Sequence, residues 1–312
     1  MKLYLMMFFK IGLLFIFCVR SISEGNQIYD IYEWQSFLNK KKLTTQKDCA
    51  QRSLFCTFKY QAMKTKILEK LKTLEKEKNI EILLAIESGS RSWGFASPDS
   101  DYDIRFIYKH PIDYYLSPWE KRDTIEFMTE DDLDGSGWDL KKAFHLLNKS
   151  NVPNLEHLYS HIFYVKNEKF LELMKPLAEQ AFSPVAVVFH YLSMSKKYLE
   201  ACNKEEVKLK DYFYCLRTTL ASKWVVEKGT FPPVIFHEML DLLPENILNK
   251  VQFLLNVKSE NGEKYYHSQD WELFEYLKSE IEKLSEVAKT LKSGNLDKYE
   301  AEKAFVEILN LK

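Results

Sequence analysis

One stretch of the chain, residues 89–105, reads GSRSWGFASPDSDYDIR, and from it we predict the fold. It begins with a Gly-Ser pair after a short apolar run, residues 80–86, which is typical of a buried strand that ends in a turn. It ends with Asp101 and Asp103, where polar and apolar residues begin to alternate as they do in a strand. Because side chains two residues apart on a strand point to the same side, we expect both carboxylates on one face.

Paired carboxylates of this kind suit a hard divalent cation such as Mg²⁺ or Mn²⁺, which prefers oxygen ligands and keeps positions open for water or phosphate. Two such ions could stabilise the attacking and the leaving oxygen of a phosphoryl transfer. Gly89 would let the backbone approach a phosphate, and Ser90 would offer hydroxyl and amide donors. An isolated Asp-x-Asp pair is more often an ordinary polar loop. The prediction therefore depends on the combination of the Gly-Ser turn, the ten-residue spacer and the Asp pair.

This combination resembles the signature of nucleotidyltransferases of the DNA polymerase β superfamily. It is more closely similar to that of the YcgL/RlaP-like nucleotidyltransferase family. The resemblance covers roughly residues 63–290 and rests on residues 87–95, 99–103, 137–143, 149–156 and 210–217. The chain departs from the family at Val152, because the family usually has Pro directly after the Asn and here Pro153 follows one residue later.

The resemblance implies an enzyme that transfers a nucleoside monophosphate from an NTP, such as ATP, to a hydroxyl acceptor, with Mg²⁺ or Mn²⁺ as cofactor. RNA ends, a protein hydroxyl and a small molecule all fit as acceptor, and the family's association with RNA repair favours RNA. The alternative is a regulatory or antitoxin-like binding module that keeps the fold and pairs with a partner. Intact Asp101 and Asp103 argue against that alternative.

The superfamily also needs a third carboxylate, and Asp134, in the predicted strand 133–138, matches the family's recurrent acid. Two alternatives stay open. Asp139 directly precedes a helical run, where an aspartate usually caps the helix amides. Glu126 lies between two apolar strand residues and could simply point outward.

Several basic residues are candidates for binding the triphosphate. Arg91 is the first choice because it lies within the Gly-Ser turn, and Lys142 and Arg217 follow from the family resemblance. For a basic residue on a helix, a solvated surface position is the more common situation. The predicted nucleotide-binding residues are therefore Gly89, Ser90, Arg91, Lys142 and Arg217.

The periodicity of the chain predicts an α/β (α+β) fold, with a mixed-sheet lobe followed by a helical lobe. We predict a nucleotidyltransferase domain over residues 63–180 and a helical domain over residues 181–312. The expected helices are 63–78, 140–147, 185–202, 209–228, 232–243 and 270–291, and the expected strands are 80–86, 101–108, 124–128 and 133–138.

Charge sets the amino-terminal part of the chain apart. The whole chain has a net charge of -1, which argues against holding nucleic acid by bulk electrostatics. Residues 1–62 carry nine Lys/Arg and four Asp/Glu, whereas the rest carries 35 and 41. We therefore treat residues 1–62 as an extension: a signal-like segment, a membrane anchor, or the product of a mis-assigned start.

Cysteine usage bears on the compartment. The five cysteines show no CxxC spacing, which indicates reduced thiols and a cytoplasmic protein. A secreted or membrane-anchored protein is the alternative, because residues 1–23 contain an apolar run after Lys2.

Overall fold

The structure is a computed structural model that describes residues 46–129 and 133–311, with side chains from residue 61 onward. Residues Thr57–Lys312 form one compact unit. The predictions for residues 1–23 and for most of the extension lie outside the described residues. None of the described helices has both the length and the apolar character that crossing a membrane requires.

A five-stranded mixed sheet forms the first part of this unit. Its strands lie in the order β3-β4-β2-β1-β5, with β2 and β4 parallel and the other neighbours antiparallel. The bounds are β1 Glu81–Glu87, β2 Tyr102–Lys109, β3 Thr124–Met128, β4 Leu133–Asp139 and β5 Phe163–Lys166. The parallel pairing of β2 with β4 sets Asp103 beside Asp134, so two predicted site residues become neighbours.

Helices make up most of the remainder. They are α1 Gln46–Lys78, α2 Gly89–Trp93, α3 Ile112–Tyr115, α4 Leu140–Asn148, α5 Val152–Leu158, α6 Glu168–Ala181, α7 Pro184–Ala201, α8 Leu209–Lys228, α9 Glu245–Glu260, α10 Trp271–Ala288 and α11 Lys298–Leu309. A 3₁₀ helix, Phe236–Leu242, precedes α9, and a small ribbon pairs β6 Glu206–Lys208 with β7 Tyr266–Ser268.

The amphipathic helix α1 covers one face of the sheet. Its side chains Ile67, Leu71 and Leu74 recur at helical spacing and are buried against Ile104 and Phe106 of β2. Burial of each such aliphatic side chain contributes about 1.5–3 kcal/mol. Helix α1 therefore covers the face of β2 that carries Ile104 and Phe106, and the alternation of the strand leaves Asp103 on the opposite face.

That opposite face contributes to a larger core, which the later helices share. Ile86 and Ile107 of the sheet belong to the same apolar cluster as residues of α4, α6, α7, α8 and α10. Among these later helices, Arg217 of α8 forms a 2.7 Å ion pair with Glu156 of α5, and both side chains are largely shielded from solvent. One apolar cluster runs from Leu83 to Ile308 and includes residues on both sides of residue 180. It does not locate a domain boundary, so the boundary at residue 180 stays a prediction.

Most of the predicted elements are confirmed, with ends that differ by a few residues; α1 begins much earlier, at Gln46. The helix predicted over residues 232–243 is wrong, because only Phe236–Leu242 is helical and it is 3₁₀. Pro232 and Pro233 explain the difference, since each lacks an amide donor and disfavours α conformation in the residue before it. The elements that were not predicted are strands β5, β6 and β7 and helices α2, α3, α5, α6, α9 and α11.

Candidate functional site

The Asp pair lies at the beginning of β2, as predicted. Asp101 is exposed and immediately precedes the strand, whereas Asp103 is its second residue and is half-buried. Burial is the largest cause that raises the pKa of Asp103, and the negative charges of Asp134 and Asp101 add to it. The three predicted carboxylates therefore lie close enough to influence one another.

The Gly-Ser turn lies directly against the Asp103 carboxylate. Gly89 has a φ of +65°, and a Cβ atom at this position would lie 2.2 Å from Oδ2 of Asp103. The Ser88 amide donates to the Asp103 carbonyl at 2.8 Å. Both the backbone conformation and the missing side chain of glycine are thus needed for the turn to approach the acid.

A buried carboxyl group that the sequence analysis did not single out supports the same strand. Glu87, the last residue of β1, is 1% exposed and accepts the Asp103 amide at 3.0 Å. Its other oxygen accepts the hydroxyl of Tyr164 from β5. Burial raises the pKa of Glu87 to about 7 despite these two hydrogen bonds. An acidic residue directly after the uninterrupted apolar run 82–86 was the signal that could have revealed it.

Arg105 joins Asp103 to Asp134. Its Nη2 atom lies 3.1 Å from Oδ1 of Asp103 and 2.8 Å from Oδ2 of Asp134. Alternation along β2 puts Arg105 on the same face as Asp103, so the sequence held a signal for this contact that we did not use. Beside it, an open groove of about 540 Å³ is lined by Arg105, Glu126, Phe127, Met128, Asp134 and Ser136.

The two other candidates for the third carboxylate have different surroundings. Asp139 accepts the Lys141 amide at 2.8 Å as the N-cap of α4, and the Tyr115 hydroxyl donates to its second oxygen at 2.8 Å. Asp139 lies five positions after Asp134 in the chain, so strand alternation puts it on the other face. Glu126 is exposed and forms a 3.2 Å ion pair with Arg122.

The predicted triphosphate-binding cations all have protein partners. Arg91 donates to the backbone carbonyls of Ser100 and Asp101 and stacks over Tyr102. Lys142 pairs with Asp123 at 2.9 Å, and the guanidinium of Arg217, besides its ion pair, lies 4.2 Å from the ring centre of Trp93. Their predicted role stays a prediction.

Lys210 is a further cation that faces the Asp pair. It lies in the first turn of α8, pairs with Glu263 at 2.7 Å, and interacts electrostatically with Asp101 and Asp103. Glu263 also accepts the hydroxyl of Ser100 at 2.8 Å, so helix α8 and the loop before Asp101 meet at one carboxylate.

The chemistry of the donors fits a hard divalent cation, since Asp101, Asp103 and Asp134 offer only carboxylate oxygens. Within residues 61–129 and 133–311, no three acidic, histidine or cysteine side chains are already gathered closely enough to hold a metal ion. Arg105 lies between two of these acids and gives a physical reason for that arrangement.

Comparison with known proteins places this sequence in a family. The model of the RlaP family, described as "RNA repair pathway DNA polymerase beta family", matches residues 63–307. The chain belongs to the RlaP family. The match begins at the residue where we predicted the nucleotidyltransferase domain to begin, and it includes every predicted site residue.

Two further similarities accompany the RlaP match. The chain is 40% identical over 241 residues to "Uncharacterized protein YcgL" of Bacillus subtilis (strain 168), which covers 75% of this chain and 92% of that protein. A crystal structure described as a nucleotidyltransferase-like protein from Exiguobacterium sibiricum 255-15 is 12% identical, with a TM-score of 0.26 over 78% of this chain and 79% of that one. Membership of the RlaP family therefore rests on sequence.

Proposed function

We propose that this protein is a metal-dependent nucleotidyltransferase that transfers a nucleoside monophosphate from an NTP to a hydroxyl acceptor. One observation carries the proposal, which is the contact between the Gly-Ser turn and the Asp103 carboxylate at Gly89. In a nucleotidyltransferase, the turn that receives phosphate and the acid that holds the metal have to be adjacent. Membership of the RlaP family supports the same activity.

Each residue of the site has a part in this proposal. Asp101 and Asp103 would hold Mg²⁺ or Mn²⁺, with Asp134 as the third carboxylate. When bound, the cation would offset the negative charge of the phosphates and lower the pKa of the attacking hydroxyl. The Gly89 backbone and the Ser90 hydroxyl would contact the phosphates. Glu87 would keep Asp103 in place through the Asp103 amide.

The proposed reaction is a substitution at the α-phosphorus. The acceptor oxygen forms a bond to that phosphorus while the bond to the bridging oxygen breaks, and pyrophosphate leaves. The proton of the acceptor hydroxyl passes to a carboxylate of the cluster, for which we favour Asp134. The exposed Asp101 and the open groove beside Asp134 would leave room for both substrates.

RNA is the acceptor that we favour, because the family's description names an RNA repair pathway. The net charge of -1 means that such an RNA would be held by local contacts near the site rather than by a broad basic surface. We expect a terminal hydroxyl to be the nucleophile.

The test incubates the full chain with each labelled NTP, Mg²⁺ or Mn²⁺, and separately with mixed RNA, a protein mixture or no acceptor. We expect label in RNA, and we expect Asp101→Ala and Asp103→Ala to lose several orders of magnitude in rate while remaining folded. Asp113→Ala, at an exposed position of α3, is the control. Near-normal activity of an Asp101 or Asp103 variant at saturating metal would refute the metal site. Absence of label in RNA would refute RNA as the acceptor, and absence of label in every mixture would leave a small-molecule acceptor or the regulatory binding module.

A further inference from the structure

Arg105 occupies the space between two of the acids to which the proposed function assigns a cation. Its Nη2 atom is shared by Oδ1 of Asp103 and Oδ2 of Asp134, and its Nη1 atom donates to the carbonyls of Ile104 and Asp134 at 3.1 Å each. Four hydrogen bonds thus hold the guanidinium on the face of β2 and β4 that carries the acids.

An arginine in this position balances charge in the protein without metal. Clustered carboxylates repel one another and tend to retain protons. Arg105 opposes this effect, because its permanent positive charge favours the ionised form of Asp103. All three side chains are shielded by more than half, with exposed fractions of 23% for Arg105, 30% for Asp103 and 37% for Asp134. The interaction is therefore stronger than that of a fully solvated ion pair.

A cation close to Oδ1 of Asp103 and Oδ2 of Asp134 would compete with the guanidinium for these oxygens, because two positive charges would then share the same small space. A metal ion that used Oδ1 of Asp103 and Oδ2 of Asp134 would repel Arg105 and take over the lone pairs that accept its hydrogen bonds. The displaced guanidinium has room on the same face, because Arg105 and its register partner Ser136 both line the open groove. Phosphate oxygens are good bidentate partners for a guanidinium.

We propose that Arg105 and the divalent cation compete for the carboxylates of Asp103 and Asp134, and that nucleotide phosphate relieves the competition by accepting the released guanidinium. Metal and nucleotide then bind cooperatively, and the metal alone binds weakly. This inference rests on the proposed function and adds an order of assembly to it. Arg105 is in this sense the residue that couples the two ligands.

Direct Mn²⁺ binding tests the inference without any turnover. The free Mn²⁺ concentration is measured by electron paramagnetic resonance for the full chain, with and without an equal mixture of four NTP analogues that carry a methylene group between the α- and β-phosphorus. The coupling factor is the ratio of the Mn²⁺ dissociation constant without analogue to that with analogue, corrected for Mn²⁺ bound by the analogues. We expect a coupling factor on the order of tenfold or more in the native protein, within the usual range for coupled sites.

Arg105→Gln should bind Mn²⁺ alone several-fold more tightly and should lower the coupling factor, leaving only the part that comes from direct contact between the cation and the phosphates. Arg105→Lys keeps the charge but cannot match the four hydrogen bonds of the guanidinium. We therefore expect its Mn²⁺ affinity and coupling factor to lie between those of the native protein and of Arg105→Gln. It replaces Arg105→Gln as the test variant if the glutamine variant does not fold. Lys303→Gln, which removes an exposed positive charge on α11, is the charge-matched control and should behave like the native protein.

If Arg105 acted only through its charge, its replacement by Gln would tighten Mn²⁺ binding by the same factor with and without the analogues. An unchanged coupling factor in Arg105→Gln would therefore overturn the inference, as would weaker binding of Mn²⁺ alone. The proposed function fails separately: in that case the native protein binds no Mn²⁺ even with the analogues, or Asp103→Ala binds it as well as the native protein does.

Discussion

Gly89 and Asp103 are in direct contact, although 14 positions separate them in the sequence. The contact arises because the Gly-Ser turn follows β1 and Asp103 is the second residue of the neighbouring strand β2, so the pairing of the two strands brings them together. Oδ2 of Asp103 occupies the space that any side chain at position 89 would need. The position of the acid is therefore sensitive to a single methyl group on the turn.

We expect Gly89→Ala to abolish nucleotide transfer and to lower the free energy of unfolding. The added Cβ would lie 2.2 Å from Oδ2, so the turn or the acid has to move. The left-handed backbone conformation adds about 1–2 kcal/mol of strain for a residue with a Cβ. Initial rates of NTP transfer and urea unfolding measure the two effects.

Gly229→Ala is the matched control for this prediction. Gly229 ends α8 with a φ of +68°, nearly the same as that of Gly89, but a Cβ there would meet no atom within 4 Å. It should lose similar stability from backbone strain and keep its transfer activity. Equal activity of the two variants would show that the contact with Asp103 has no catalytic importance.

The sequence was sufficient to predict strands β1 to β4 and the Gly-Ser turn, because each depends on local patterns. Strand Thr124–Met128 and helix Leu209–Lys228 have the predicted bounds. In each case the regular spacing of apolar residues stops where the element ends. The helix expected over residues 232–243 from apolar spacing is wrong, because two consecutive prolines prevent an α-helix from starting there.

The long-range partners of the site could not be predicted in the same way. Which acid lies beside Asp103 depends on the parallel pairing of β2 with β4, and no local pattern specifies that pairing. Lys142 and Arg217 were chosen from resemblance, but their ion pairs with Asp123 and Glu156 follow from tertiary packing. Arg105 was within reach of sequence reasoning through strand alternation, and its significance appears only once Asp134 is beside it.

Asp134→Asn and Asp139→Asn should fail in different ways. Asp134 is the register partner of Asp103, so loss of its charge should abolish turnover, while relief of carboxylate repulsion should offset part of the lost Arg105 ion pair. Asn can still cap α4 at position 139, so that variant should keep its activity and lose about 1 kcal/mol or less. Turnover and melting temperature, each with and without Mg²⁺, distinguish the two. An inactive Asp139→Asn beside an active Asp134→Asn would reverse the assignment of the third carboxylate.

Deletion of residues 1–62 should leave a folded and active protein. The family match begins at residue 63, and Ile67, Leu71 and Leu74 of α1 belong to the apolar cluster on the sheet. The truncated chain keeps these three buried side chains. Solubility, thermal unfolding and transfer activity are compared with those of the full chain. Loss of the cooperative unfolding transition on truncation would show that the extension belongs to the fold.

Glu87 should make the stability of the protein depend on pH. Burial raises the pKa of Glu87 from 4.5 to about 7, so the folded state retains a proton that the unfolded state releases at lower pH. The resulting stability is fully present below about pH 4.5 and is lost as the pH rises through about 7. The shift corresponds to a contribution of roughly 3 kcal/mol.

Glu87→Gln removes this titration and keeps an acceptor for the Asp103 amide. The free energy of urea unfolding, measured in EDTA from pH 5 to pH 8, should therefore fall more steeply for the native protein than for Glu87→Gln. The variant should become the more stable of the two at the upper end of that range. Glu282→Gln, at an exposed position of α10, should follow the native curve. Parallel curves for the native protein and Glu87→Gln would mean that Glu87 is ionised in the folded state throughout this range, with its charge held by the Tyr164 hydroxyl and the Asp103 amide.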